Sequence, residues 1–290
     1  MKDLTHLNTK LLALIGHPIK QSYSPFIHNA AFEFQKLDYL YLPFDITKSN
    51  LKSAVKGLML LGIRGFNITI PHKENILDLL TNVSDEALIV GAVNTVVNEH
   101  GDLNGYNTDV YGVTESLMPY KKEISGSTVS VVGAGGAARA VIYSLIKNFK
   151  PKKIFIINRN EPKAEALKTY FSDKMKFDAI KTKELFPPDI VDIFNDSALI
   201  VNATSVGMFP ENYDAITSLE NSFKKGQIVF DVVYNPVKTQ LLKLAEKEGA
   251  ITVDGLSMLV YQAAKSFELW TGEEMPVEQV RTALKHFLEN

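Results

Sequence analysis

The stretch Val129-Ser130-Val131-Val132-Gly133-Ala134-Gly135-Gly136-Ala137 carries the architecture of this chain. A short apolar strand runs straight into glycines and then into a helical stretch that lasts to about Asn148. Gly133 permits a tight turn. Gly135 lets the backbone approach a pyrophosphate, which the free N–H groups of the helix start would then face. The pattern is G-x-G-G, a variant of G-x-G-x-x-G, and Ala138 and Ala140 are small enough to keep the helix close to the sheet. A strand-to-helix turn with no ligand would tolerate the same glycines. The strand–turn–helix context is what favours a dinucleotide.

The next strand, KIFIINR (153–159), ends in Asn158-Arg159-Asn160. A site that prefers NAD usually has Asp or Glu here, accepting hydrogen bonds from the ribose hydroxyls. Arg159 instead offers a planar fork to a 2′-phosphate, and Lys163 adds a second cation. The residues therefore favour NADP over NAD and disfavour S-adenosylmethionine, whose site also tends to want an acid. An arginine closing a strand for packing reasons is the plain alternative.

Around this loop the chain has 290 residues, which suggests two domains at roughly 150 residues each. LLALIG (11–16), YLYLPFDI (39–46) and GFNITI (65–70) read as strands, with helices over Pro25–Lys36 and Leu51–Leu61 and another opened by Pro71. This βαβα rhythm implies a mostly parallel sheet covered by helices. The rhythm restarts at 129, and SALIVNAT (197–204) and QIVFDVVY (227–234) supply later strands. From Leu256 two helices follow, broken at Met275-Pro276, and they resemble nothing in a nucleotide-binding half. The fold expected is α/β. An N-terminal substrate domain over 1–108 is completed by C-terminal helices over 255–290, and a nucleotide-binding domain spans 109–254.

Apolar residues make up 46% and charged residues 22%, ordinary globular values that exclude a disordered or fibrous chain. With 31 Lys+Arg against 33 Asp+Glu the net charge is -2, without the basic excess of a nucleic-acid binder. There is no cysteine, so disulfides, thiolate chemistry and Cys-held metals are excluded, and a reducing compartment fits. The histidines at 6, 17, 28, 72, 100 and 286 include no i, i+4 pair, so no metal site is expected and a zinc hydrolase is poorly supported. The longest apolar stretches, Leu11–Gly16 and Ala87–Val97, fall short of the ~18 residues of a membrane span. Leu11–Gly16 is also shorter than the ~7–15 residues of a secretory leader. A soluble, cytoplasmic protein is expected.

The first half places polar residues where packing alone does not need them. Ser22 and Ser24 follow the first strand, and Thr69 ends another. Lys73 falls in the first turn of the helix expected from Pro71, Asn94 interrupts the apolar AVNTVV, and Asp109 lies at the domain crossing. Ligands of parallel sheets gather at the carboxyl ends of strands, so these positions converge on one small polyhydroxylated ligand. A helix N-terminus beside Lys73 would disfavour its ammonium form, which suits proton transfer, while Asp109 would act the other way. Each residue alone has a bland explanation: Ser-Pro as a helix cap, a solvated lysine, an asparagine serving backbone. The combination is what points to a site.

These stretches resemble, over nearly the whole length, the shikimate/quinate dehydrogenase family. Gly16-His17-Pro18-Ile19-Lys20-Gln21-Ser22-Tyr23-Ser24-Pro25 is similar to the family's opening motif, and Asn67-Ile68-Thr69-Ile70-Pro71-His72-Lys73 to its second. Gly91–Thr95, Gly105–Asp109, Gly133–Ala137, Asn158-Arg159 and Asn202-Ala203-Thr204-Ser205 follow in order. Asp231–Pro236 and Gly255–Gln262 complete the series. The departures are Gln21, Val110, Asn160 and Ser257, where the family usually has His, Gly, Thr and Gly.

The resemblance implies an N-terminal substrate domain, a Rossmann NADP domain and an active site in the cleft between them. It implies NADP as cofactor, shikimate and 3-dehydroshikimate as substrates, and a monomer or homodimer without nucleic-acid or membrane partners. Lys73 would move the proton with Asp109 as its partner. Ser22, Ser24, Thr69, Asn94, Asp109, Tyr234 and Gln262 would contact the substrate. Gly133, Ala134, Gly135, Gly136, Ala137, Asn158, Arg159, Asn160, Lys163 and Thr204 would hold the cofactor. Val232 and Gly255 would touch its nicotinamide end, with Asp85 nearby. A quinate/shikimate dehydrogenase using NAD or both cofactors, and a catalytically silent dinucleotide sensor, are the competing readings.

Overall fold

The computed structural model describes residues 8–185 and 189–289; residues 1–7, which include His6, lie outside them. The chain divides into two compact units, Met1–Thr108 with Val260–Asn290, and Asp109–Leu259. The second crossing falls inside a helix, five residues after the 254/255 division drawn from sequence.

The first unit contains β1 (Lys10–Gly16), α1 (Ser24–Gln35), β2 (Tyr39–Asp45), α2 (Leu51–Leu60), β3 (Gly65–Ile68), β4 (Asn82–Val83), α3 (Asp85–Val90), β5 (Thr95–Glu99) and β6 (Asp102–Tyr106). Its sheet has the order β2-β1-β3-β5-β6-β4. The strands β1, β2 and β3 are parallel, as the βαβα rhythm requires, but β5 runs antiparallel to both β3 and β6. The β5–β6 hairpin turns on His100 (φ 56) and Gly101 (φ 102), the left-handed pair that a two-residue hairpin needs. The apolar stretch 87–97 is not one strand. Ser84 caps α3, accepting from the Ala87 N–H, and the strand begins only at Thr95, so Asn94 precedes it.

Pro71 opens no helix, which corrects the sequence expectation. The Ile70–Pro71 bond is cis, and residues 71–76 form turns that lead to a 3-10 segment at Leu77–Leu79. The Lys73 carbonyl accepts from the Val93 N–H at 2.8 Å, so it is not left for a residue four places on. His72 is buried with Nε2 2.6 Å from the Ile46 carbonyl, which anchors the turn. No helix dipole acts on Lys73 from this segment.

One face of the first sheet packs Ala13, Ile15, Phe66 and Ile68 against Leu51, Val55 and Leu58 of α2. An aromatic cluster joins α1 to the helix Gly255–Thr271: Phe32 stacks on Phe267, and His28 stacks on Tyr41 at 4.5 Å and lies 5.1 Å from Trp270. The Trp270 indole donates to the Val96 carbonyl at 2.9 Å. A Cβ on Gly65 would run into that indole, so this position of β3 admits only glycine.

The second unit contains α4 (Asp109–Leu117), α5 (Lys121–Ile124), β7 (Thr128–Val132), α6 (Gly136–Ser144), β8 (Lys153–Asn158), α7 (Glu161–Met175), β9 (Ile180–Glu184), α8 (Ile190–Asn195), β10 (Leu199–Asn202), β11 (Ile228–Asp231), α9 (Gln240–Lys247) and β12 (Ile251–Val253). All its strands are parallel, in the order β12-β11-β10-β7-β8-β9. The first strand lies mid-sheet, and the connections leave it in opposite directions toward β8 and β10. This is the Rossmann order, whose ligands bind where the order reverses. The chain ends with α10 (Gly255–Thr271) and α11 (Val277–Glu289).

His28 is fully buried, and among the described residues neither ring nitrogen has a hydrogen-bond partner. Burial pushes its pKa down to about 3, with Asn67 opposing. The unfolded chain therefore binds a proton that the folded chain refuses between pH ~6.5 and 3. Stability is full above that window and falls through it by up to about 4–5 kcal/mol. Asp231, pushed up to about 6 by burial, acts oppositely between pH ~6 and 4. His28→Phe keeps the stack and removes the larger of the two effects. Its melting temperature should fall several degrees less than wild type's between pH 7 and 4.5; equal falls in a thermal scan would clear His28 of that role.

Candidate functional site

In the first unit, strand direction gathers the polar residues on one sheet edge. β1 and β3 are parallel neighbours, so the loops after Gly16 and Ile68 leave side by side. Two bonds tie them, Thr69 N–H to Ile15 O at 2.9 Å and His17 N–H to Ile70 O at 2.9 Å. A Cβ on Gly16 would run into the Thr69 methyl, so this glycine lets Thr69 sit against the first loop. Ser22 Oγ accepts from the Ser24 N–H at 3.3 Å, and Ser24 is the buried first residue of α1. Because β5 runs antiparallel to β3, Asn94 at its start lies at the same edge, its carbonyl accepting from the Ile68 N–H. Lys73, half-buried, is held through its backbone to Val93.

Behind Asn94 lies a buried polar cluster that sequence reasoning missed. Tyr41 donates to Asn67 Oδ1 at 2.8 Å, which turns the Asn67 amide nitrogen toward the Asn94 carbonyl (3.0 Å), Thr95 Oγ1 (2.9 Å) and Ser266 Oγ (3.2 Å). Asn94 Oδ1 accepts from the Thr108 N–H at 2.7 Å and from Thr95 Oγ1 at 3.1 Å. The Asn94 side chain is thereby fixed with Nδ2 toward Thr108 Oγ1 (3.0 Å) and Gln262 Oε1 (3.4 Å). A fully bonded buried network of this kind sets one orientation for each amide. The signal for Asn67 was a single polar residue inside the apolar strand GFNI, the same signal that marked Asn94. Asp109 follows Thr108 directly, buried as the first residue of α4. It and Tyr234 belong to the second unit, whereas Ser22, Ser24, Thr69, Lys73, Asn94 and Gln262 belong to the first.

In the second unit the glycines divide by cause. Gly133 has φ +118, and a Cβ there would lie 2.8 Å from the Ala203 carbonyl oxygen. The protein itself therefore needs this glycine, to bring the ends of β7 and β10 together beside Thr204. Gly135 has an ordinary negative φ, and a Cβ there would meet nothing within 4 Å. Packing does not require it, and the open space over it fits an approaching phosphate. No side chain caps α6, so the N–H groups of its first turn, beginning at Gly136, are left for an anion at the Ala134-Gly135 turn.

At the end of β8, Asn158 Nδ2 bonds to the Asn160 carbonyl, and Asn160 caps α7 by accepting from the Lys163 N–H at 3.1 Å. The Arg159 and Lys163 side chains are exposed and make no hydrogen bond or ion pair among the described residues. Arg159 and Lys163 stand on either side of Glu161 at the start of α7, and with Asn158 rather than an acid closing β8 the two cations suit a phosphate-bearing ribose. On the other side of the switch point, a Cβ on Gly255 would lie 2.5 Å from the Val232 carbonyl oxygen, so that glycine lets α10 start against the turn after β11. Asp85 lies in the first unit, exposed in the first turn of α3, where an acid favours the helix dipole.

Comparison with known proteins shows the family of the chain. The shikimate dehydrogenase substrate binding domain matches residues 14–96, the shikimate/quinate 5-dehydrogenase model matches 116–258, and the shikimate 5′-dehydrogenase C-terminal domain matches 255–285. The shikimate dehydrogenase (NADP(+)) of Caldanaerobacter subterraneus subsp. tengcongensis is 46% identical over 267 residues, covering 91% of this chain and 92% of the relative. The chain belongs to the shikimate dehydrogenase family. A solved shikimate dehydrogenase in complex with NADP+ superposes with a TM-score of 0.89 at 40% identity, covering 98% of this chain and 97% of that one. Shikimate 5-dehydrogenase from Listeria monocytogenes, in complex with shikimate and NAD, gives 0.87 at 36%, with 98% and 99% covered.

Three of the positions where the chain departs from the shikimate dehydrogenase motifs have a defined place in the structure. Asn160 in place of Thr still caps α7. Ser257 in place of Gly donates its N–H to Asp254 Oδ1 at 3.0 Å, and its hydroxyl lies 3.3 Å from the same oxygen. Val110 is buried in α4. No described helix is long and apolar enough to cross a membrane, and no three His, Asp or Glu side chains among the described residues could hold a metal.

The two loop glycines should separate under substitution. Gly133→Ala should lower stability by more than about 1 kcal/mol, because a Cβ is strained at positive φ and meets backbone. Gly135→Ala should leave stability unchanged or raise it by about 0.4–1 kcal/mol, and weaken dinucleotide binding at least tenfold. Thermal unfolding and a binding titration on the same samples decide this; an unaltered Kd for Gly135→Ala would remove Gly135 from the phosphate site.

Proposed function

We infer that this chain is an NADP-dependent shikimate dehydrogenase, an oxidoreductase that reversibly reduces 3-dehydroshikimate to shikimate on the route to chorismate and the aromatic amino acids. The observation that carries the cofactor choice is the end of β8, where Asn158 replaces an acid and Arg159 and Lys163 stand exposed. When bound, NADPH supplies the hydride that reduces the ketone carbon. The chain supplies the proton: the Lys73 ammonium gives it to the ketone oxygen and, in oxidation, the neutral amine takes it from the hydroxyl. Asp109 orients the lysine and shares the hydrogen bonding of that oxygen. Ser22, Ser24, Thr69, Asn94, Tyr234 and Gln262 offer donors and acceptors to the remaining hydroxyls and the carboxylate.

The 133–137 loop and Thr204 take the phosphates, and Asn158, Arg159, Asn160 and Lys163 take the 2′-phosphorylated ribose. Val232 and Gly255 border the nicotinamide end, with Asp85 nearby. Serines at both 22 and 24 favour shikimate over quinate, and keeping both Lys73 and Asp109 favours an enzyme over a silent dinucleotide sensor. A chain without cysteine suits the reducing cytoplasm, where the enzyme acts as a monomer or homodimer.

Arg159→Ala should weaken NADP by about 10- to 150-fold, the worth of a charge-assisted hydrogen bond of roughly 1.5–3 kcal/mol, and NAD far less. Lys163→Ala should do the same more weakly. Equal losses for both cofactors would show that the 2′-phosphate is not read at this strand end.

Lys73→Met keeps most of the stem's volume and should lower kcat by ~10²–10⁴-fold with a modest rise in shikimate KM. Asp109→Asn should also lower kcat, and the double variant should lose less than the product of the single losses, because the two act as a unit. A folded Lys73→Met enzyme that binds NADP and keeps near wild-type kcat would end the assignment of Lys73 as the proton carrier.

A further inference from the structure

Asp231 closes β11 inside the second unit, entirely buried, and no cation pairs with it among the described residues. In the register of the sheet it lies opposite Asn202, the last residue of β10. Its two oxygens accept three hydrogen bonds. Oδ1 takes Asn202 Nδ2 at 2.9 Å and the Val233 N–H at 3.0 Å, and Oδ2 takes the Thr239 hydroxyl at 2.7 Å. Val233 and Thr239 stand at the two ends of the turn after β11, so one carboxylate closes that turn at its base.

The same carboxylate reaches the neighbouring turn through Asn202. Asn202 Nδ2 is held by Asp231 and, at 3.1 Å, by the Val206 carbonyl, so its Oδ1 faces the other way, where it accepts from the Thr204 N–H at 3.1 Å and the Thr204 hydroxyl at 2.6 Å. The Thr204 hydroxyl in turn accepts from the Val206 N–H at 3.1 Å, and the Phe209 N–H donates to the Asn235 carbonyl, sewing the two turns together. Thr204, Val232 and Tyr234 all ride on these turns, and the Val232 carbonyl backs onto Gly255.

A buried carboxylate without a cation is costly, and burial pushes its pKa up to about 6. An asparagine would fit the same space without that cost. It could not, however, accept from all three donors: its NH2 group must face either the Asn202 amide and Val233 N–H or the Thr239 hydroxyl, which already accepts from the Leu242 N–H. Only an acceptor on both sides holds the three donors in their present directions.

We propose that Asp231 is a positioning residue for the dehydrogenase reaction, fixing the turn that carries Val232 and Tyr234 and, through Asn202, the turn that carries Thr204. This rests on the function proposed above. The effect belongs to the pyrophosphate and nicotinamide side, away from the Arg159 end of the cofactor site.

Asp231→Asn, Thr239→Val and Thr239→Ser test it. Asp231→Asn should lower kcat with shikimate and NADP by about 10- to 100-fold, the range that misplacement of about an ångström produces. Affinity for adenosine 2′,5′-bisphosphate, the adenine-side half of NADP, should stay within twofold, and the melting temperature should hold or rise because a buried charge is gone. Thr239→Val should lower kcat in the same sense, and Thr239→Ser, which keeps the hydroxyl, should restore it. If Asp231→Asn does not fold, the Thr239 pair decides alone. A kcat within twofold of wild type in Asp231→Asn or Thr239→Val, or an equal loss of adenosine 2′,5′-bisphosphate affinity, overturns the proposal. A wild-type protein that fails to oxidise shikimate with NADP removes the proposed function first and this inference with it; an active wild type beside unaffected variants removes only the inference.

Discussion

A polar side chain cut off from water must find every donor and acceptor it needs within the protein, and in doing so it fixes the backbone around it. Both units depend on this constraint at the place where a central strand ends. In the first, Asn67 in β3 draws in Tyr41, the Asn94 carbonyl, Thr95 and Ser266, so that three separate segments share its amide. In the second, Asp231 does the same for β10, β11 and the start of α9. The apolar cores beneath supply the bulk of the stabilisation, and the polar strand ends add the directionality of hydrogen bonds.

The dinucleotide half was legible because its signals are local. A strand, a glycine turn and a helix lie within a few residues at 129–144, and the apolar runs around Ile156, Ile200 and Val229 are continuous, as strands covered on both faces must be. The cation-bearing end of β8 was equally local. The substrate half was harder because its geometry is set by partners distant in sequence. Pro71 has the sequence look of a helix start, yet the Lys73 carbonyl is claimed by Val93 and the segment folds as turns. The run 87–97 looks like one apolar element, but the Ser84 cap pulls its first residues into α3 and leaves only Thr95 onward to pair with β3.

The polar residues behind the site were hidden for the same reason. Thr108 and Ser266 look unremarkable one at a time, and Asn67 shows only as one polar residue in an apolar strand. They matter because an antiparallel hairpin and a C-terminal helix carry them to one place. Glycine was the more informative residue once space could be measured around it. Gly16, Gly65, Gly133 and Gly255 are each demanded by a neighbour within the protein, whereas Gly135 is not, and that difference separates folding from ligand binding.

The helix α10 starts within the second unit and ends within the first. Its far end supplies Ser266, Phe267 and Trp270, and Trp270 takes a bond from Arg64, 206 positions earlier in the chain. During synthesis, at roughly 5–20 residues per second, the sequence of the second unit is therefore complete while the first still lacks the helix that fills its aromatic cluster. The half made first is the half that must wait. Its early strands emerge with Gly65 facing an empty slot, and only Trp270 of α10, made after the sheet of the second unit, closes it.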